Sequence, residues 1–309
     1  MNRYFDNKDE LFMQPRVTQY GSHMVMTNVS KETKRKYVNI NTRFSDEYGS
    51  SSVAAFNVSL PERVNEVKTT YINNIEIPIT FYNISSILGN NVLEISYNGG
   101  QTYRIVTVTD GQYTVAGLLA AIRTAIHSIG GDYVNIDCSG SSMGPCIFSY
   151  NNAGSGSTVL VNFDITSHPS DYDLKSRLGW TLGYRTSKIS IVHGKPITSP
   201  AFIDLTGPRY LFLVLDEYSN GNQTSFVSPL QNSLLGKNIL GRVAMDYTHF
   251  PYGSVLVATN INGYLLSDRR SYTGKVDLQR FNVQLVDEWG RPISLNGVDF
   301  SFCLELEHE

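Results

Sequence analysis

Cysteine is scarce in this chain of 309 residues: Cys138, Cys146 and Cys303 are the only three, an odd number with no CxxC spacing. A disulfide framework is therefore not expected to hold the fold, and the usage fits a reducing compartment. Long apolar runs are missing as well, since nothing approaches the eighteen or so residues that a membrane-spanning helix needs. The opening MNRYFDNKDE has no apolar stretch of the secretory kind, so the Asn-X-Ser/Thr matches at Asn28, Asn57, Asn83 and Asn222 read as chance. Charge is sparse at 17%, with a net value of -3 and a pI near 6.1, which gives no global pull toward nucleic acid or anionic lipid. Motifs of chemistry are absent too. His23, His127, His168, His193, His249 and His308 show no HxH, HExxH or Cys/His spacing, and no GxSxG elbow occurs. The glycines of GNNVLEISYNGG and AGSGS lead into no phosphate-cradling helix. No catalytic, cofactor-binding or metal-ligating residue is assigned.

What is abundant is Tyr (19), Phe (14) and Gly (25), a composition suited to strands joined by tight turns. The clearest single pattern closes the chain: Val298, Phe300, Phe302, Leu304 and Leu306 alternate with Asp299, Ser301, Cys303, Glu305 and Glu307. Upstream, Phe281, Val283 and Leu285 alternate with Asn282, Gln284 and Val286, and DEWGRPISLNG separates the two. A closing hairpin is the simplest reading, with one apolar and one polar face to each strand. The fold class expected is all-β: a sandwich over residues 37–309 preceded by an extended N-terminal arm, residues 1–36.

Further alternations place strands at Val38–Ile40, at Phe56–Leu60 and along EVKTTYINNIEIPIT, where Pro78 marks an edge or a strand end. NVLEISYNGGQTYRIVTVTDG reads as two strands around Asn98-Gly99-Gly100, where positive φ is cheap. One amphipathic helix stands out at about 114–129: Val115, Leu118, Leu119, Ile122 and Ile126 recur at helical spacing after the N-cap candidate Thr114. It should lie on an edge or end of the sandwich. DYVNID, CIFSY, TVLVNFDI, ILGRVAMDY and GSVLVATNI give further strands, Ser170 opens a short helical turn, and SPLQNSLLGKNI is helical or irregular. RYLFLVLDEY is continuous enough to be buried on both faces.

Three carboxylate pairs, Asp171 with Asp173, Asp216 with Glu217 and Asp287 with Glu288, sit beside turn residues and read as solvated loop ends rather than as an acid and base across a cleft. Trp180, Tyr184 and Trp289 would serve a carbohydrate platform only if exposed; as core residues they pack. In the arm, Phe12, Met13, Met24 and Met26 suit pockets on a partner better than water. The basic run Lys34, Arg35 and Lys36 is the remaining contact candidate, toward an anionic surface, although so short a run is ordinarily solvated.

Several segments taken in order, KYVNINTRFSDEY, AAFNVSLPERVNEVKTTYINNIEIP, DGQYTVAGLLAAI, SRLGWTLGYR, RYLFLVLDEY and VQLVDEWGRPISLNGVDFSFCLELE, resemble minor capsid proteins of large icosahedral DNA viruses of the chlorovirus and marseillevirus kind. The likeness spans roughly Tyr37 to Glu307 and lies in the succession, each segment alone being a generic β pattern. It implies a jelly-roll sandwich beneath or between the capsomers of a major capsid protein. The implied partners are those capsomers and other minor capsid proteins, with no specific nucleic acid and with a place near an internal viral membrane. The implied setting is the virion shell, after synthesis in host cytoplasm, as a lattice cement or as a pentameric vertex (penton) protein. It carries over no catalytic residue and no cofactor. From other classes, the alternatives are a carbohydrate-binding or host-attachment sandwich, marked by aromatics on one exposed face, and a β-sandwich hydrolase, marked by a buried carboxylate pair or triad in a cleft.

Overall fold

The computed structural model describes residues 32–46, 54–97, 99–151, 158–165, 174–218, 226 and 238–309, together with the backbone of a short antiparallel pairing between Arg16–Val17 and His23–Met24. The chain forms β1 (Lys34–Asn41) and a very long β2 (Ala55–Pro78). It then leaves for β3 (Val92–Ser96), β4 (Arg104–Thr107), α1 (Val115–His127), β5 (Ile136–Gly140), β6 (Pro145–Tyr150), β7 (Thr158–Asn162), the short α2 (Leu178–Thr181), β8 (Lys188–Val192) and β9 (Ile197–Phe202). It returns for β10 (Tyr210–Asp216), β11 (Ile239–Ala244), β12 (Val255–Thr259), β13 (Leu265–Ser267), β14 (Arg270–Val286) and β15 (Ser301–His308).

β2 explains the architecture. Its buried residues run Phe56, Val58, then Val64, Val67, Thr70, Ile72, Ile75 and Ile77, so the two-residue rhythm slips by three at several points. Each slip inserts an extra residue; Glu66 has φ 55°, and the register against β14 and β15 shifts near residues 64–67 and 72–74. Bulges bend and twist a strand, and here they carry β2 from one layer of the sandwich into the other. The sequence pattern splits this element in two for the same reason. Pro78 ends it, as expected.

With the halves of β2 counted as second and third of eight strands, one layer runs β1, β15, late β2, β12 and the other early β2, β14, β10, β11, with β13 added at its edge. In sequence order these are 1-8-3-6 and 2-7-4-5, the strand order of a jelly roll. The layers face each other: a Cβ placed on Gly241 of β11 would lie 2.7 Å from Ile72 Cδ1 on late β2. The expected closing hairpin is not formed. β14 and β15 belong to different layers, late β2 lies between them, and residues 287–300 are the crossing link. Two half-buried strands joined by turns fit either arrangement; the jelly roll gives both edges of β15 a partner, β1 on one side and β2 on the other. Phe302, Leu304 and Leu306 do face the core. β10 is covered on both sides, Leu211, Leu213 and Leu215 inward and Phe212 outward against Ile239, Val286 and Phe226.

Residues 84–205 build a second buried cluster of their own. Its sheets are β8-β7-β3-β4 and β9-β6-β5, and the expected hairpin between β3 and β4 forms, with Gly99 and Gly100 at positive φ. α1 matches the helix read from sequence: Thr114 Oγ1 accepts the Gly117 N–H at 3.2 Å, and Leu118, Leu119, Ile122 and Ile126 are buried against the lobe's interior. Each of those side chains contributes roughly 2 kcal/mol of apolar burial. The helical turn expected near 170 appears at Leu174–Ser176 and α2, whereas Ser170 itself, Asp171, Asp173 and most of SPLQNSLLGKNI fall outside the described residues.

Candidate functional site

Of the expected contact residues, Phe12, Met13 and Met26 lie outside the described residues, and Met24 falls in the short backbone pairing with Arg16. Lys34, Arg35 and Lys36 are the first residues of β1, paired with the end of β15. Lys36 is bonded to Glu62, and Arg35 Nε lies 3.4 Å from Glu305 Oε1, while Lys34 stays exposed. Two of the three cations are thus committed within the fold.

Glu305 lies on the polar face of β15 without being solvated. It is buried, because Arg35 from β1 and Arg269 from the approach to β14 close over it; Arg269 Nη2 donates to Glu305 Oε1 at 3.2 Å and Nη1 lies 3.5 Å from Glu307 Oε2. The same guanidinium stands 5.3 Å from the Tyr71 ring centre.

The carboxylate pairs correct an expectation. Glu217 is buried at the end of β10 and accepts from Arg270 Nη1 at 2.6 Å; that arginine also donates to the carbonyls of Leu215 and Asn238, each at 2.8 Å. Burial, and then the Glu217 charge, push the Tyr272 phenol above its ordinary range, and its hydroxyl lies 2.7 Å from Thr70 Oγ1. Asp287 is buried against Arg291 Nε at 2.6 Å and also accepts the backbone N–H groups of Trp289 and Arg291. Its neighbour Glu288 is half-buried, with Oε2 lacking a hydrogen-bond partner among the described residues, and desolvation raises its carboxyl above the usual range. These are anchored strand ends rather than loops in water. The sequence carries a local clue only for Asp287, with Arg291 four residues on; Arg270, the partner of Glu217, lies 53 residues away.

Arg291 also joins the two lobes, its Nη1 donating to the Leu88 carbonyl at 2.6 Å. Beside it a cleft of about 150 Å³ is lined by Trp180, Arg185, Asp204, Glu288 and Arg291. The chain crosses between lobes at Asn83, whose carboxamide donates to Tyr113 and Leu205 carbonyls at 2.9 and 3.3 Å and accepts the Tyr113 N–H at 2.9 Å.

Trp180 and Tyr184 do not present open rings, and Trp289 is half-buried. The Trp180 ring is covered by the Arg185 guanidinium at 4.0 Å, and Tyr184 is buried, stacked on Phe163 with its hydroxyl donating to the Cys146 and Ile197 carbonyls. Cys138 and Cys146 are free and buried, and desolvation pushes each thiol up to about 12. His127 has Nε2 2.8 Å from the Ile136 carbonyl, which ties the helix end to β5. No group of three or more His, Cys, Asp or Glu side chains able to hold a metal occurs among the described residues.

No protein-family profile matches the chain, and no curated protein matches it in sequence. Solved structures do. The chain is similar to the selenomethionine-labelled mavirus penton protein, with a TM-score of 0.44 and 10% identity over 89% of this chain and 100% of that one. It is also similar to a chain of the Sputnik virophage, solved at 3.5 Å by cryo-EM, with a TM-score of 0.38 and 15% identity over 89% and 98%. The jelly-roll assignment rests on the strand order itself.

Proposed function

We propose that this chain is a structural capsid subunit, a minor capsid protein that cements or supports the capsomers of a major capsid protein in an icosahedral virion. The observation that carries the reading is the 1-8-3-6 over 2-7-4-5 strand order, an architecture common to capsid and lectin domains. A fold alone does not choose between those uses; the side chains favour the first. Of the rings suited to a sugar platform Trp180 is covered, Tyr184 is buried and Trp289 is half-buried, and the exposed Tyr37, Phe44, Phe202, Tyr218 and Tyr252 are scattered over separate elements. Scattered apolar exposure suits protein contacts on several sides. The sequence resemblance points the same way.

In this reading the segment ahead of β1, with Phe12, Met13, Met24 and Met26, is the contact arm, and Lys34, Arg35 and Lys36 belong to its root. Removing residues 1–31 is expected to leave the melting temperature unchanged while lowering uptake into particles reconstituted with the cognate major capsid protein. Undiminished uptake would sink the arm; a full-length chain that never co-purifies with particles would sink the capsid role.

A further inference from the structure

The two outer strands of the β1-β15-β2-β12 layer are treated in opposite ways. β1 begins with Lys34, Arg35 and Lys36, the charged blunting expected of an edge that must not pair. β12 reads Val-Leu-Val-Ala-Thr, with neither charge nor proline. Its alternation buries Leu256 and Ala258 and leaves Val255 and Val257 52% and 43% exposed; Ile261 and Leu266 extend the apolar stripe at 99% and 59%. Register fixes the backbone as well. Ser254 O accepts the Ile79 N–H, so Leu256 and Ala258 bond toward β2 and Val255, Val257 and Thr259 turn their polar groups to the outer edge. Asn262 caps part of that edge, its Oδ1 accepting the Thr259 N–H at 2.9 Å and its Nδ2 donating to the Val257 carbonyl at 2.7 Å. The Val255 N–H and C=O and the Val257 N–H face outward with no described strand beside them.

We propose that this edge receives the N-terminal segment of a second copy of the chain, laid on β12 as an added strand. The inference rests on the assembly role proposed above and names the surface that the arm occupies. The occupant is argued from the sequence and the fold together. Residues 17–30 contain no Asp, Glu, Lys or Arg, an unbroken uncharged stretch matching the uncharged edge, and Arg16–Val17 and His23–Met24 already have extended, paired backbone. In an added strand Met24 and Met26, two positions apart, would share a face, and their flexible thioether chains would suit the uneven surface of Val255, Val257 and Ile261. The arm enters its own molecule at β1, the far edge of the same layer, and to reach its own β12 it would have to cross the Arg35, Glu305, Arg269 and Tyr71 network with an apolar segment. A neighbour's edge imposes no such crossing.

The test uses the full chain with Cys303→Ser to remove the one partly exposed thiol. Chains carrying Val257→Cys are mixed with chains carrying Met24→Cys or Met26→Cys under mild oxidation. A mixed dimer at twice the chain mass is expected. A link formed only when both substitutions share one chain, independent of concentration, would overturn the second-copy assignment; no link in either format would overturn the edge itself. Val257→Lys, on the solvent face, is expected to keep the melting temperature and abolish self-association in light scattering; association at the wild-type level also overturns the proposal. If Val257→Lys chains lose self-association yet still enter particles, the capsid role stands apart from this contact, whereas wild-type chains that enter no particles reject the capsid role.

Discussion

Replacing Arg270 with Met should destabilise the jelly roll by about 3–5 kcal/mol, the range for removing one partner of a buried ion pair. The guanidinium and the Glu217 carboxylate are 2% and 0% exposed, so solvent offers the stranded charge nothing in exchange. Arg270 also donates to the carbonyls of Leu215 and Asn238, so the substitution removes one hydrogen bond from each, although the Asn238 carbonyl keeps the Leu215 N–H at 3.0 Å. Met fills much of the same volume, which keeps a cavity term small. The pair itself should be worth much less than either half: Arg270 Nε has no partner among the described residues, and exchanging a whole buried pair for apolar residues is often neutral or better. Glu217→Leu with Arg270→Met is therefore expected to be more stable than Arg270→Met alone, and Glu217→Gln with Arg270→Met to fall between. Urea unfolding followed by tyrosine and tryptophan fluorescence at pH 7 compares these three variants with wild type. An Arg270→Met loss below about 1 kcal/mol, the worth of an exposed pair, would refute the burial of this site. A double variant no better than Arg270→Met would refute the stranded charge as the cause.

Glu288 should work in the opposite sense to a paired carboxylate. Its folded value is raised by desolvation and then by Asp287, so the folded state holds the proton more tightly and stability falls as pH climbs from the unfolded value, about 4.3. Glu288→Gln is expected to raise the urea midpoint at pH 7.5 and to leave it nearly unchanged at pH 4; equal gains at both would reject the titration. Gly183→Ala should cost about 3 kcal/mol, since φ is +92° and the new Cβ would stand 2.1 Å from the Ala201 carbonyl oxygen, combining left-handed strain with overpacking. A melting temperature within a degree of wild type would reject it.

The parts legible in the sequence were those set by short-range rhythm. α1 was found within two residues at each end, and β12 and the inward face of β15 were found because apolar positions repeat at one period over an uninterrupted stretch. β2 looks like two strands in the sequence because its bulges reset the phase, and alternation cannot deny a hairpin of β14 and β15 because it reports which face is buried but not which strand lies alongside. The buried ion pairs were hidden for a related reason. Asp216-Glu217 and Asp287-Glu288 look like turn chemistry until Arg270 and Arg291 are brought to them, and one of those partners comes from 53 positions away.

The two places where the chain passes between lobes stand side by side, with Asn83 Nδ2 only 3.3 Å from the Leu205 carbonyl. A segment whose ends meet is a cassette. Residues 84–205 interrupt the jelly roll between its third and fourth strands without altering the order of the other strands, so a short turn joining Asn83 to Thr206 should close the gap. The outer shape of this molecule is thereby free to change in a single genetic step, by exchange or loss of one insert, while the sandwich that carries it keeps its own core.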